Sequence, residues 1–190
     1  MKLSALYQIF LDCAVVTTDS RNCPAGSLFI ALKGESFNGN AFAAQALKDG
    51  CAYAIVDEAE YAPENNRHII LVDNCLQTLQ QLANYHRRQL GTKVIGITGT
   101  NGKTTTKELI SAVLSKSHNV LYTEGNLNNH IGVPMTLLRL KAEHELAVIE
   151  KGFWKAVNYM IEAQTDEGGW PQYYPYGAVS YTHLTLPTKA

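Results

Sequence analysis

The chain has 190 residues, of which 46% are hydrophobic, and carries a formal net charge of -1 at pH 7. This length and composition are typical of a globular protein with one or two domains and a buried core. The balanced charge, with lysine and arginine scattered along the chain, disfavours a nucleic-acid partner, and no apolar stretch reaches the roughly 18 residues of a membrane span or has a signal-peptide pattern. We therefore expect a cytoplasmic protein that has no membrane span and is a monomer.

The four cysteines indicate neither a zinc site nor a disulfide framework. They lie at wide and unequal intervals, without a C-x-x-C pair or a neighbouring pair of histidines. We expect reduced and mostly buried thiols at Cys13, Cys23, Cys51 and Cys75.

The first part of the chain, residues 1–74, predicts a small α/β unit. A helix is expected over residues 41–48, closed by Gly50 in the usual position after a helix C-terminus. Short apolar runs bounded by turn residues predict three strands, at 28–32, 52–56 and 69–72.

A longer helix is expected to follow this unit. Asp73 and Asn74 are plausible capping residues, and the helix is expected to run to about Leu90. One face carries apolar residues at three- and four-residue spacing, namely Leu76, Leu79, Leu82 and Ala83. The next two residues, Gly91 and Thr92, mark the expected boundary, so that the first domain covers residues 1–90.

The second domain, residues 91–150, begins with a strand, a glycine turn and a helix. An amphipathic helix over 104–116 is expected to carry its apolar stripe through Leu109, Ile110, Val113 and Leu114. Strands at 94–98, 119–122 and 146–149 complete the start of a parallel sheet with crossover helices, which is cut short after about three strands.

The glycine turn carries the clearest chemistry of the sequence. Its glycines let backbone N–H groups approach phosphate oxygens, the helix that follows adds positive potential at its N-terminus, and Lys103 can reach the β and γ phosphates of a nucleotide. Thr104 is placed to offer its hydroxyl to Mg²⁺. The nucleotide-binding residues are predicted to be Gly99, Thr100, Asn101, Gly102, Lys103, Thr104 and Thr105.

The literal G-x-x-x-x-G-K-[ST] pattern of P-loops is not met, because Ile97 stands where the first glycine would be. The alternative is a plain turn between strand and helix, with Lys103 as a solvated residue. The strand before the turn, the helix after it and the Lys-Thr-Thr run favour nucleotide binding.

Two motifs resemble those of the Mur ligase family. Residues 97–108, Ile-Thr-Gly-Thr-Asn-Gly-Lys-Thr-Thr-Thr-Lys-Glu, resemble its ATP loop, and residues 123–137 resemble a G-N-x-N-N-x-I-G-V-P signature. Residues 19–21 and 24–34 resemble the family's UDP-sugar-binding domain, so the resemblance covers about residues 1–150. It implies an ATP-dependent, amide-forming ligase of peptidoglycan precursor synthesis that adds D-alanyl-D-alanine to UDP-N-acetylmuramoyl tripeptide.

The resemblance also implies roles for single residues. In these ligases ATP phosphorylates the substrate's carboxylate, and the incoming amine then attacks the acyl phosphate; Lys103 would stabilise the transferring phosphate, while Thr104 and Glu150 would hold Mg²⁺. Lys103 and Glu150 are thus the expected catalytic residues. After Glu150 the family reads Met-Gly-Ala, whereas this chain reads Lys-Gly-Phe, so the match breaks there.

Four residues are expected at the substrate. Ser20 and Arg21 would lie near the nucleotide end of the UDP-muramoyl peptide, where a guanidinium can bind phosphate oxygens in bidentate fashion. Asn128 and Asn129 could bind substrate or shape their loop, and the residues alone leave both alternatives open.

The sequence changes character from Lys151. Residues 151–178 contain an amphipathic helical pattern and a Gly-Gly-Trp-Pro-Gln run similar to a segment of pectate lyases. Residues 179–190 are expected to be disordered, and most of them resemble the translation of a sequencing-library adapter.

Three functional hypotheses follow from these patterns. The first is a truncated ligase, inactive because the family's C-terminal domain is missing; the second is a fragment of a polysaccharide lyase; the third is a chimeric reading frame without function. A folate-polyglutamating ligase is the nearest alternative enzyme, and the second motif disfavours it.

Overall fold

The computed structural model describes residues 2–99 and 101–151. The chain divides into two compact units, Met1–His86 and Arg87–Ala190. Thr100, the lyase-like segment beyond Lys151 and the adapter-like tail lie outside the described residues, so the predictions made for them stay predictions.

The first unit is built on a parallel sheet with the strand order β1-β2-β3-β4 in the described part of the chain. Its core is apolar on consecutive positions, as in Leu28, Phe29 and Ile30, which are fully buried, because parallel strands are covered on both faces. The strands are β1 (Val16–Thr17), β2 (Leu28–Ile30), β3 (Tyr53–Val56) and β4 (Ile69–Leu71).

The helices of this unit are α1 (Leu3–Leu11), α2 (Ala43–Lys48) and most of α3 (Cys75–Leu90), with short 3₁₀ turns at Gly39–Phe42 and Ala59–Tyr61. The three strands and two helices predicted here are confirmed within two residues at their ends, and α1 and β1 are additional. Asn74 caps α3, since its side-chain oxygen accepts the N–H of Gln77 at 2.8 Å.

Aromatic packing joins α1 to α3. The Tyr7 hydroxyl lies 3.1 Å from His86 Nδ1, and the Phe10 ring meets the His86 ring edge-on with 4.9 Å between centroids. His86 is only 4% exposed and is a core residue.

The second unit contains a parallel sheet with the order β5-β7-β6 among the described residues. The strands are β5 (Lys93–Ile97), β6 (Val120–Tyr122) and β7 (Leu146–Glu150), and the helices are α4 (Lys103–Leu114) and α5 (Gly132–Leu137). The parallel sheet and the strand, turn and helix order are confirmed. The last strand in sequence is central, and it pairs with both neighbours.

The two faces of this sheet are covered differently. On one face lies a cluster of buried side chains, namely Leu121, Leu140, Ala147 and Ile149. Partly buried side chains from α3, β5 and α5 pack against this cluster. On the other face lies α4, whose buried positions are Lys107 and Ser111.

The predicted apolar stripe of α4 is wrong at two positions. Leu109 and Val113 are 64% and 69% exposed. At 100° per residue, a helix that turns Lys107 and Ser111 toward the sheet carries positions 109 and 113 on its far side. Side-chain type alone suggested the opposite orientation.

The cysteines agree with the expectation of reduced thiols. All four cysteines are free thiols, and Cys51 and Cys75 are buried. Within residues 2–99 and 101–151, no helix combines the length and the apolar character that crossing a bilayer requires.

Candidate nucleotide site

The glycine turn joins the carboxyl end of β5 to the first turn of α4. Gly99 and Gly102 have positive φ angles of 149° and 76°, which residues other than glycine rarely adopt. A Cβ added at Gly102 would meet no atom of the described chain within 4 Å, so the turn is not packed beneath other residues. The Lys103 ammonium donates to the Gly99 carbonyl oxygen at 2.7 Å and so spans the turn.

A hydroxyl and a carboxylate meet beside this turn. Thr104 Oγ1, in the first turn of α4, lies 3.0 Å from Glu150 Oε2 and 3.2 Å from Oε1, and it donates its hydrogen to this carboxylate. The Asn128 amide donates to Glu150 Oε1 at 2.9 Å. Three predicted site residues from distant parts of the chain are therefore brought together.

Glu150 is held from behind by a residue that the sequence did not single out. The Glu150 N–H donates to Thr123 Oγ1 at 3.0 Å, and Thr123 is fully buried. Glu150 itself is 1% exposed, at the end of the central strand β7. A signal was available, because Thr123 directly follows a predicted strand, and carboxyl ends of parallel strands meet at one edge of a sheet.

The two asparagines of the second motif have different surroundings. Asn128 faces Glu150, whereas Asn129 Oδ1 accepts the N–H groups of Ile131 and Gly132 at 3.0 and 2.7 Å. This contact favours loop shaping for Asn129.

An exposed ion pair flanks the same motif. The Arg139 guanidinium donates to Glu124 Oε1 at 2.7 Å, and this hydrogen bond lowers the pKa of the Glu124 carboxyl. Glu124 is thus held in its charged form at neutral pH.

Ser20 and Arg21 belong to the first unit. The Arg21 guanidinium is exposed and donates to both Asp19 oxygens, at 2.9 and 3.0 Å, which lowers the pKa of Asp19. Ser20 is half-buried in the same turn, and its carbonyl oxygen accepts the Cys23 thiol at 3.4 Å.

The remaining predicted residues are more open. Asn101 and Thr105 are exposed, and Thr100 lies outside the described residues. Among the residues that the structure describes, no three His, Cys, Asp or Glu side chains are grouped to hold a metal ion.

A parallel α/β unit with an open glycine turn, a lysine across it and a Thr–Glu pair beside it has the features of a phosphate-binding nucleotide site. Comparison with known families gives the same class. Residues 13–87 match the catalytic domain of the Mur ligase family, and residues 97–162 match the Mur ligase middle domain. The chain belongs to the Mur ligase family.

Two curated relatives carry the same name. The chain is 49% identical over 137 residues to UDP-N-acetylmuramoyl-tripeptide--D-alanyl-D-alanine ligase of Bacillus subtilis and 44% identical over 137 residues to that of Escherichia coli. Each alignment covers 72% of this chain and 30% of the relative. The chain thus spans about a third of the length of these relatives.

Solved structures agree with the fold. MurF from Acinetobacter baumannii has 39% identity and a TM-score of 0.68, with 80% of this chain and 35% of that chain covered. The MurF ligase of Thermotoga maritima, crystallised in complex with ADP, has 31% identity and a TM-score of 0.67, with 75% and 33% covered.

A weaker match concerns the end of the chain. Residues 136–190 match pectic acid lyase. The described part of that range, 136–151, includes β7 of the Mur-like sheet, and the rest lies outside the described residues.

Proposed function

We propose that these two units are the substrate-binding and first nucleotide-binding parts of an ATP-dependent ligase that adds D-alanyl-D-alanine to UDP-N-acetylmuramoyl tripeptide. The curated relatives bear this name. The observation that carries the proposal is the contact of Thr104 and Asn128 with the Glu150 carboxylate, beside an open turn spanned by Lys103. We expect the reaction in the cytoplasm, where ATP is available.

The turn would bind the phosphates of ATP. Positive φ angles at Gly99 and Gly102 would let backbone N–H groups face the phosphates, and α4 would contribute the positive end of its dipole. Lys103 would exchange its contact with the Gly99 carbonyl for phosphate oxygens. Its charge would then stabilise the transferring phosphoryl group, which gives the substrate carboxylate a leaving group that the amine displaces.

The Thr–Glu pair fits a magnesium ion. Mg²⁺ is commonly held by one or two carboxylates together with nucleotide phosphates, and it needs no cage of protein ligands. Thr104 and Glu150 would hold it, and it would neutralise charge on the phosphates. Asn128, which contacts the same carboxylate, would orient Glu150.

The first unit would take the nucleotide end of the substrate. Arg21 is exposed and already donates in bidentate fashion to a carboxylate, the geometry with which a guanidinium also binds a phosphate. Ser20 lies beside it. Both roles are carried over from the family resemblance.

ADP binding to the chain tests the nucleotide site. Isothermal titration calorimetry with MgCl₂ should show binding that Lys103→Ala weakens about 10- to 100-fold, the loss expected for charge-assisted hydrogen bonds. Lys116→Ala is the matched control, because it removes the same charge from an exposed position beyond the end of α4. Equal affinity of the Lys103 variant and the wild type would reject the site.

A further inference from the structure

A fully buried lysine lies one turn beyond the nucleotide turn. Lys107 is 0% exposed. Its ammonium donates to the Thr123 carbonyl oxygen at 2.6 Å and to Glu108 Oε1 at 2.8 Å, and it lies 5.9 Å from the centre of the Tyr122 ring. Its two acceptors come from the residue that follows β6 and from its own helix.

Such a residue is costly for a helix face that packs on a sheet. A buried ammonium loses its hydration, and an apolar side chain of similar size would avoid that loss. Lysine is among the residues least often fully buried. The contacts of Lys107 therefore point to a function in placing its partners.

The partner of Lys107 is also the partner of Glu150. Thr123 accepts the Lys107 ammonium at its carbonyl oxygen and the Glu150 N–H at its hydroxyl. Glu150 in turn accepts the hydroxyl of Thr104, which lies on the same face of α4 as Lys107. Hydrogen bonds link Lys107 to Thr123, Thr123 to Glu150 and Glu150 to Thr104. The backbone of α4 between Thr104 and Lys107 closes this ring, which joins α4 to the ends of β6 and β7.

We propose that Lys107 is a positioning residue, which fixes Thr123 and, through it, sets the Glu150 carboxylate opposite the Thr104 hydroxyl. Its ammonium is committed to Thr123 and Glu108, so it acts through Glu150 and not on the nucleotide. This inference rests on the proposed nucleotide site, because the consequence of misplacing Glu150 is weaker support for a Mg²⁺-bound nucleotide.

Lys107→Met tests the inference, since methionine keeps the length and removes the charge. ADP affinity is measured twice, with excess MgCl₂ and with excess EDTA. We expect the variant to lose about tenfold or more in the presence of Mg²⁺, as for other groups that orient a metal ligand, and to change little in EDTA. Equal losses under both conditions would indicate a purely structural role and overturn the inference.

Two further variants act on the next link of the ring. Thr123→Val removes the acceptor of the Glu150 N–H at nearly constant volume, and Thr123→Ser retains it. The valine variant should reproduce the Mg²⁺-specific loss and the serine variant should not; equal behaviour of the two would contradict the proposal. Ser111→Ala is the matched control, because Ser111 Oγ is buried on the same helix face and has no hydrogen-bond partner in the described chain.

Amide hydrogen exchange in the nucleotide-free chain separates this inference from the proposed function. Lys107→Met should speed exchange of the Glu150 amide relative to the Val148 amide, further back in the same strand. Unchanged relative exchange would overturn the inference even if ADP binds. Faster exchange in a chain that fails to bind ADP would support the ring and reject the nucleotide site.

Discussion

Gly132→Ala should destabilise the second unit and disturb the proposed nucleotide site. Gly132 begins α5, and a Cβ built on it would lie 2.5, 2.6 and 2.7 Å from the Cα, carbonyl carbon and carbonyl oxygen of Leu127. The nearest of these contacts is about 0.9 Å short of ordinary van der Waals separation. All three atoms are backbone, so no side-chain rotation relieves the overlap.

The expected loss of stability comes from displacing the loop that precedes α5. Overpacking of this kind usually costs about 1–3 kcal/mol. The loop that must give way also carries Asn128, whose amide is 2.9 Å from Glu150 Oε1. We therefore expect a lower free energy of unfolding and, in addition, weaker Mg²⁺-dependent ADP binding.

Urea denaturation and ADP titration check these two effects. Gly96→Ala is the matched control in the same unit, because a Cβ there meets nothing within 4 Å and its φ is not positive. That control is expected to be neutral or to stabilise by about 0.4–1 kcal/mol through the unfolded state. If Gly132→Ala unfolds at the same urea concentration as Gly96→Ala, Gly132 does not lie as close to the Leu127 backbone as the structure indicates.

Three other outcomes are expected. Asp57→Ala should cost about 1–3 kcal/mol in urea denaturation, because it removes an acceptor 2.9 Å from the amide of the buried Asn40; a neutral variant would contradict that contact. Hydrogen bonding to His118 lowers the pKa of Glu145, so Glu145→Gln should reduce stability at pH 7. That effect should fade as pH falls below about 4.3 through the lowered pKa, and a pH-independent difference would refute it. Burial raises the pKa of the Cys13 thiol to about 11, so its alkylation at pH 8 should be on the order of 100-fold slower than that of free cysteine; equal rates would argue against burial.

The elements that were predictable from sequence have strong local patterns. The apolar runs around Leu28 and Ile69 predicted strands, and the leucine spacing of α3 predicted a helix. All three elements are present. The helix α5 was overlooked, since Gly132 and Pro134 suggest a turn. Proline is in fact compatible with the first turn of a helix, where its missing N–H is not needed.

The residues of the candidate site were predictable from the sequence only in part. Gly102, Lys103 and Thr104 are consecutive, so the sequence alone placed them together as a motif. The burial of Lys107 was not readable, because its partner Thr123 comes from another strand and lysine is normally solvated. The orientation of α4, which leaves Leu109 exposed, likewise depends on contacts that the helix pattern does not contain.

The strand order of the second unit has a consequence for synthesis on the ribosome. The described β5 and β6 do not pair with each other, and both require β7, which is made after them. The glycine turn therefore emerges attached to an unpaired strand, and about fifty more residues must be made before that strand has its partner. Until Glu150 has left the exit tunnel, the nascent sheet presents open hydrogen-bonding edges that chaperones would have to shield.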